Sequence, residues 1–478
     1  MIAVECFKGK TVGVFGLARS GLSAARALKQ GGAKVIAWDD KEPARLAAAK
    51  DGVSLEVTER WPWQEIAAVI LSPGVPLTHP EPHPIVRRAK SVGAEVIGDI
   101  ELFARAIRPQ RDQKGAAPVI AITGTNGKST TTALIGHILQ ACGFDAQVGG
   151  NIGKPALDLG APKAKTVYVL EVSSYQVDLA PGLVPDVALL TNLSPDHIDR
   201  HGTMENYAAV KASLLAHTAA DGHVAVGVDD PHSAAIYTRL AAERGANAVA
   251  ISVGKVLGRG VFVIDGKLYD AWDQPAAQVG DLKTAARLPG AHNWQNAALA
   301  YAAVRRLVRD PRAIVNAIAR FPGLAHRIED VGRIGKVRFI NDSKATNADA
   351  AARALACYSD IFWIAGGKPK EGGISDLEPY FPRMRRAYLI GDAAEEFGKT
   401  LTGKVDVFQA GTLNRALAAA FDDARMSDVA EPVVLLSPAC ASFDQFRDYE
   451  QRGDIFREMV KGLVHAYPEQ AKTGAGVS

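Results

Sequence analysis

The stretch Ala121-Ile122-Thr123-Gly124-Thr125-Asn126-Gly127-Lys128-Ser129-Thr130 constrains this chain more than any other. The apolar run Val119 to Ile122 predicts a buried strand, and the apolar spacing from Ala133 to Leu139 predicts a helix. A Gly-rich turn ending in Gly-Lys-Ser between a strand and a helix is the setting of a phosphate-binding loop. Its glycines let backbone N–H groups close around phosphate oxygens, and the helix N-terminus adds positive potential. In such a loop Lys128 reaches the β- and γ-phosphates and the Ser129 hydroxyl ligates Mg²⁺. The usual pattern has a further Gly five residues before Gly127, where this chain has Ile122. The assignment therefore rests on the strand-to-helix context.

At 478 residues the chain is too long for a single core, and length alone predicts about three domains. Basic and acidic side chains nearly balance, 55 against 52, so no polyanion such as nucleic acid is implied as a partner. Apolar runs such as Val187 to Leu190 are strand-length, far short of a membrane span, and the N-terminus lacks a signal-peptide core. Cys6, Cys142, Cys357 and Cys440 show neither pairing nor metal-ligand spacing and read as reduced thiols in the cytoplasm.

Before the loop, a strand from Lys10 to Gly16 runs into Gly16-Leu17-Ala18-Arg19-Ser20-Gly21 and a helix from Leu22 to Gln30. A second strand, Lys34 to Trp38, ends in Asp39-Asp40. This βαβ unit has the acidic residue of a dinucleotide fold, but Ala18 occupies the second glycine position. A site for another nucleotide diphosphate, or a purely structural turn, fits better than NAD. A third strand, Ala67 to Leu71, delivers the turn Ser72-Pro73-Gly74-Val75 at the edge where parallel sheets bind ligands. Residues 1–108 thus read as a ligand-binding domain and Arg108 to Pro118 as a linker.

In residues 109–322 the strand Thr166 to Leu170 delivers Glu171, placed to hold Mg²⁺ beside the phosphate loop, or else to pair with a lysine. The strand Asp186 to Leu190 leads to His197, a candidate second metal ligand, although a lone loop histidine is more often unligated. Lys211, on a helix over 203–217, reads as a solvated charge. Asp265-Gly266 suits a hairpin turn, and Asn293 reads as a cap of an alanine-rich helix with Asn296 one turn further along, or else both asparagines are caps. Phe321-Pro322-Gly323 marks a boundary. Residues 323–478 then show four more strands whose ends carry Asn341 to Asn347, Gly366 to Lys370 and Ser437 to Phe446. Three polar clusters on one sheet edge imply a site with a cationic element. The tail from Gln470 reads as disordered. The fold class is α/β with three domains, each on a mostly parallel sheet: Rossmann-like, phosphate-loop ATPase-like and Rossmann-like.

With these motifs in view, the chain resembles the Mur ligases of peptidoglycan synthesis over nearly its whole length. The loop Gly124 to Thr130 and the Gly-x-His-Asn-x-x-Asn motif at Gly290 to Asn296 match the superfamily. Asn341-Asp342-Ser343-Lys344-Ala345-Thr346-Asn347 and Ser437 to Phe446 match its D-glutamate-adding branch. The resemblance implies a monomeric cytoplasmic enzyme using ATP and Mg²⁺. It would join D-glutamate to the L-alanyl carboxylate of UDP-N-acetylmuramoyl-L-alanine through an acyl phosphate. It implies that Arg19, Ser20, Asp39, Asp40, Gly74, Asn151 and His197 face the UDP-sugar. The loop Gly124, Thr125, Asn126, Gly127, Lys128, Ser129 and Thr130, with Asn293, Asn296, Arg327 and Asp342, would engage ATP. Ser129, Glu171, His197 and Lys211, the last as an N-carbamate, would hold Mg²⁺. Lys128, Glu171, His197, Lys211 and Lys344 would form the catalytic group. Thr346, Lys370, Ser442 and Phe443 would receive D-glutamate, with Lys368 the alternative to Lys370. The C-terminal domain would close over the central one.

Overall fold

The computed structural model describes residues 1–111, 116–369, 372–467 and 471–472. They contain three sheets. The first is parallel, ordered β2-β1-β3-β4, from β1 (Thr11–Phe15), β2 (Lys34–Trp38), β3 (Ile66–Leu71) and β4 (Glu95–Ile97).

The second takes in β5 (Val119–Thr123), β6 (Asp145–Gly150), β7 (Thr166–Glu171), β8 (Val187–Leu190), β9 (His223–Gly227), β10 (Ala248–Val253), β11 (Gly260–Ile264), β12 (Lys267–Ala271) and β13 (Ala277–Asp281). Their order is β13-β12-β11-β10-β9-β8-β5-β7-β6. The β11–β12 hairpin turns at Asp265 and Gly266, whose φ values of 50° and 79° are those of the expected tight turn. Val119 to Ile122 have no solvent exposure, as a central parallel strand covered on both faces requires. From β5 the chain goes to β6 and β7 on one side, then crosses to β8 on the other. That reversal opens a crevice beyond the carboxyl end of β5. The phosphate loop occupies it, with Ile122 in register with Glu171 of β7 and Thr123 with Leu190 of β8.

The third sheet, ordered β18-β17-β16-β19-β15-β14-β20, is built from β14 (Glu329–Ile334), β15 (Val337–Asn341), β16 (Ile361–Gly366), β17 (Met384–Ile390), β18 (Val407–Gly411), β19 (Val433–Leu436) and β20 (Ala471–Lys472). β14 pairs antiparallel with β15 and β20. Asn341 of β15 and Ile364 of β16 both register with Leu436 of β19, so the three polar clusters leave one sheet edge together.

Contacts divide the chain into two compact units, Met1–Thr284 with Ala291–Arg320, and Ala285–Gly290 with Phe321–Ser478. In the first, one core runs from Val12, Leu28 and Phe103 through to Val119, Tyr168 and Leu190. In the second, Trp363 and Phe397 belong to one core and Phe339, Tyr388 and Phe456 to another.

Several sequence expectations change. The helix Arg19–Gln30 begins before Leu22, so Arg19 and Ser20 lie in its first turn rather than in the preceding loop. The helix Asp99–Arg111 enters the expected linker, carried past Pro109 by the buried stripe Ile100, Phe103 and Ile107. Ala471–Lys472, in the tail expected to be disordered, pair with Ile334 and Arg333. The half-exposed β14 has no apolar alternation to announce it.

Gly16, with φ 90°, turns the chain out of β1. A Cβ on Gly21 would lie 1.8 Å from the Gly16 carbonyl oxygen, so the helix Arg19–Gln30 approaches β1 only because Gly21 is bare. Gly21→Ala gains about 1 kcal/mol of helix propensity but forces a backbone shift that costs about 1–3 kcal/mol or more. The expected outcome is a lower thermal midpoint for the first unit by calorimetry; an unchanged or higher midpoint contradicts the close approach.

Candidate active site

The phosphate loop is held from the side by the chain leaving β8. Thr125 N donates to Asn192 O at 2.8 Å and Asn126 N to Asn192 Oδ1 at 3.0 Å. The Asn126 carbonyl accepts from Thr191 Oγ1 at 2.6 Å and Asn192 Nδ2 at 3.2 Å. Gly124 has φ 140°, and a Cβ there would fall 1.9 Å from Thr191 Oγ1. Gly127, at φ 82°, precedes the helix Lys128–Ala141; a Cβ there would sit 2.2 Å from Asn296 Oδ1. Both glycines are therefore dictated by left-handed backbone and by close neighbours. Ser129 is buried in the first helical turn and Thr130 half-buried beside it.

Asn293 and Asn296 do not cap their helix. Ala291–Val304 encloses both, and both are buried. Asn296 Oδ1 accepts from Thr131 Oγ1 at 3.3 Å, and its Nδ2 donates to Asn293 Oδ1 at 3.2 Å. The pair is docked against the phosphate-loop helix, in a place that a cap reading could not foresee.

Lys211 is the largest departure from expectation. It is 1% exposed, not solvated. Its Nζ donates to Gly124 O at 2.9 Å and reaches Thr123 Oγ1 at 3.4 Å, 4.6 Å above the Tyr207 ring. Burial, reinforced by the charge of Lys128, drives its pKa well below the lysine value. Lys128 Nζ donates to the same Gly124 carbonyl at 2.9 Å and to Thr125 O at 2.7 Å. Facing them, Glu171 is buried at the end of β7. Its Oε1 accepts from Asn151 Nδ2 at 2.8 Å, while Oε2 is enclosed with no hydrogen-bond partner. His197 opens a short helix with φ 54°, its ring 5.0 Å from that of Tyr175. Burial lowers its pKa; Asp196 opposes this, and Lys211 and Lys128 add to it. Lys128, Ser129, Glu171, His197 and Lys211 thus meet at one sheet edge. No three His, Cys, Asp or Glu side chains gather as a ready-made metal cage among the described residues.

At the first sheet's edge Asp39 is already engaged. Its Oδ2 accepts from Leu17 N at 2.6 Å and Oδ1 from Lys41 N at 2.8 Å. Asp40 is exposed, 3.5 Å from His83 Nε2, and Arg19 and Gly74 are exposed. Ser20 bonds the buried carboxyl of Asp99. Nothing in the sequence singled out Arg200, whose guanidinium donates to the carbonyls of Gly74 and Val75, each at 3.0 Å.

In the second unit, Arg327 lies between His326 and Ile328, which both have positive φ, and its charge acts on Asp342. Asp342 is buried, accepting from Ser437 Oγ at 2.8 Å and Ile328 N at 3.1 Å. Lys344 N bonds His326 O, and its Nζ donates to Tyr449 Oη at 3.1 Å. Thr346 is half-buried, Ser442 is buried, and Phe443 is 69% exposed. Lys368 N bonds Ala441 O at 2.9 Å; Lys370 lies outside the described residues. Arg452, missed in the sequence, ties these loops. From full burial it donates to Ser343 O at 2.8 Å, Ser343 Oγ at 3.0 Å and Cys440 O at 3.1 Å. Burial lowers its pKa to about 10. Its one sequence signal was an arginine in line with Phe456 and Val460 on a buried helix face.

The fold and site define a three-sheet α/β protein organised on a phosphate loop. The Mur ligase middle domain family matches residues 122–304. A protein of Caulobacter sp. (strain K31) named UDP-N-acetylmuramoylalanine–D-glutamate ligase is 54% identical over 97% of this chain and 98% of its own. One of the same name from Phenylobacterium zucineum (strain HLK1) is 52% identical over 98% of this chain and 100% of its own. The crystal structure of UDP-N-acetylmuramate-alanine ligase from Thermotoga maritima superposes with a TM-score of 0.59 at 17% identity, covering 95% of this chain and 99% of that one, and shares the fold. The chain belongs to the Mur ligase family.

Burial raises the Asp342 pKa from 3.8 to about 7; hydrogen bonds from Ser437 and Ile328 offset this only in part. Between those pH values the folded carboxyl keeps a proton that the unfolded chain has lost. The second unit therefore loses stability as pH rises through that window. Asp342→Asn keeps the shape and removes the proton. In urea titrations of the full chain, the variant should gain on the parent from about pH 4 to pH 7 and level off above. Parallel profiles would contradict a proton held there.

Proposed function

We propose that this chain is an ATP-dependent ligase that joins D-glutamate to the alanyl carboxylate of UDP-N-acetylmuramoyl-L-alanine, in cytoplasmic peptidoglycan precursor synthesis. The observation that carries the reaction type is the meeting of the phosphate loop, two lysines and the unpartnered Glu171 Oε2 at the end of β5. The choice of substrates follows the names of relatives more than half identical along the whole chain. Near-neutral charge and four cysteines outside any disulfide among the described residues accord with small-molecule substrates and a reducing compartment. No helix among the described residues is long and apolar enough to cross a membrane. We take the working form as a monomer. Residues 1–108 would bind the sugar nucleotide, 109–322 ATP, and 323–478 D-glutamate.

A carboxylate is a poor acyl donor. Phosphorylating it with the ATP γ-phosphoryl group makes an acyl phosphate; the D-glutamate amine then attacks the carbonyl carbon and phosphate leaves. Phosphoryl transfer is chiefly positioning and charge neutralisation. Backbone N–H groups from Gly124 to Thr130 would cradle the phosphates. Lys128 would exchange its two carbonyl partners for phosphate oxygens. Asn293, Asn296, Arg327 and Asp342 would orient the nucleotide.

Magnesium prefers one or two carboxylates, with phosphate and water completing its shell. The open oxygen of Glu171, at the same sheet edge as Ser129 and His197 and without a three-ligand cage among the described residues, fits that preference. Bound there, magnesium would neutralise the transferring phosphoryl group. A protonated lysine at 211 would repel it. A buried amine held neutral can add CO₂ and lose a proton, and the resulting N-carbamate turns repulsion into ligation. His197, Asn151, Arg19, Ser20, Asp39, Asp40 and Gly74 would face the sugar nucleotide. Lys344 would supply the cation of the third sheet edge, and Thr346, Ser442, Phe443 and Lys370 would receive the D-glutamate carboxylates. Closure of the C-terminal domain would shield the acyl phosphate from water.

The test is ATP-dependent phosphate release with UDP-N-acetylmuramoyl-L-alanine, offering D-glutamate or L-glutamate. Release with the D-isomer alone is expected, and equal release with either, or with neither, counts against the reading. Lys128→Ala should cut release by about 10³-fold or more, as losing a main charge-stabilising group does, with sugar-nucleotide affinity by calorimetry nearly unchanged. Loss of that affinity would contradict the assigned role.

A further inference from the structure

Arg200 belongs to the short helix Ile198–His201, which follows His197 at the second sheet's edge. Its guanidinium leaves that edge and binds the first sheet's ligand-facing loop. Nη1 donates to Gly74 O at 3.0 Å, and Nη2 to Val75 O at 3.0 Å with a longer approach to Pro73 O at 3.5 Å. The same guanidinium lies 4.6 Å above the ring of Tyr175. That ring is 5.0 Å from the His197 ring and stacks at 5.5 Å on His201, whose Nε2 meets Ser174 Oγ at 2.9 Å. Loop carbonyls, guanidinium, Tyr175 and His197 therefore form one run of contacts from the first sheet's edge to the phosphate-loop crevice.

We propose that Arg200 is a positioning residue that sets the distance between the loop 72–75 and the His197 turn. A sugar nucleotide held on the first sheet thereby presents its carboxylate at the phosphate loop. This rests on the function proposed above.

The chemistry of arginine suits the task. Its planar fork meets several carbonyls at once and stacks on an aromatic face, whereas lysine offers a point charge on a flexible stem. The loop needs such a tie. Pro73, Gly74 and Val75 lie outside any strand or helix, and Gly74 is exposed. The first sheet as a whole does not need it. Gln176 Nε2 donates to both oxygens of Asp99 at 3.3 Å, Gly182 N to Glu101 Oε2 at 2.6 Å, and Gly98 N to Leu179 O at 2.9 Å. These bonds fasten the start of the helix Asp99–Arg111 to the second sheet's loops independently of Arg200. Removing the guanidinium thus unties the loop from the His197 turn and leaves the sheet in place, while the loop keeps its bonds from Ser72 N to Phe15 O at 2.9 Å and from Val75 N to Ser72 O at 3.0 Å. Interactions with the remote part of a substrate serve to place its reacting end, and a misplacement of ~1 Å there costs about 10²-fold in rate.

The experiment compares the parent with Arg200→Ala and Arg200→Lys in the full chain. It measures UDP affinity by calorimetry, the thermal midpoint, and kcat and KM for the sugar nucleotide by phosphate release. The expected result is a kcat lower by about 10- to 100-fold in both variants, with UDP affinity and midpoint close to the parent's and KM moving less than kcat. A kcat near the parent's in either variant would overturn the proposal. So would UDP affinity lost in step with kcat, which would make Arg200 a ligand contact, or a midpoint that falls with the activity, which would make it a structural tie. A parent that releases no phosphate with its nucleotide substrates would fail the underlying reading before any variant is compared.

Discussion

Two lysines compete for one carbonyl oxygen. The amines of Lys128 and Lys211 both sit 2.9 Å from Gly124 O, one from the helix after the loop and one from the helix Met204–Ala216. Two ammonium groups this close, one of them fully enclosed, cannot both keep their charge cheaply. Lys211, the more deeply buried, gives way. The enclosed, unpartnered oxygen of Glu171 stands in the same crevice. The site therefore holds a buried amine whose pKa is driven down, a second lysine bound to loop carbonyls and an open carboxylate oxygen. A phosphate chain bringing its own counterion needs such an arrangement. The neighbours take their places from it: Tyr207 under Lys211, Thr125 on the Tyr207 hydroxyl at 3.1 Å, and Asn296 under Gly127.

The crevice has this form because of sheet order. β5 lies between β7 and β8, so a single turn out of β5 is flanked by Glu171 on one side and by Thr191 and Asn192 on the other. The first sheet joins the same unit through a continuous core, with Phe103 set edge-on against Tyr168 at 5.1 Å. That core joins the two sheets in one unit, and the loop 72–75 leaves the first sheet outside any strand or helix. In the second unit the same logic recurs with different means. Three loops leave one edge of a parallel sheet, and a buried guanidinium, that of Arg452, binds two of them from below.

Much of this was legible in the sequence because it depends on local pattern. Apolar runs of strand length located β5, β7 and β8; the glycines located the loop; and Glu171 followed as the residue ending a buried strand. What failed depends on tertiary burial. A lysine four residues after a tyrosine reads as surface, and only the packing of its helix against the end of β5 encloses it. Asn293 and Asn296 looked like caps because asparagine favours helix starts, yet the helix begins at Ala291 and buries both. Arg200 and Arg452 were invisible for a related reason. Each bonds to backbone carbonyls far away in sequence, and carbonyls carry no sequence signature. β14, next to the sheet's edge strand, shows little apolar alternation because only Ile334 of its side chains is buried.

The most direct measurement is carbon-13 NMR of the full chain equilibrated with ¹³C-labelled bicarbonate, alongside Lys211→Met. A buried amine whose pKa is driven down, beside an open carboxylate oxygen and the cation of Lys128, should capture CO₂ as an N-carbamate. The predicted result is a carbamate resonance present in the parent and absent from the variant. No resonance, together with a Lys211 amine that titrates in the ordinary lysine range, would contradict it.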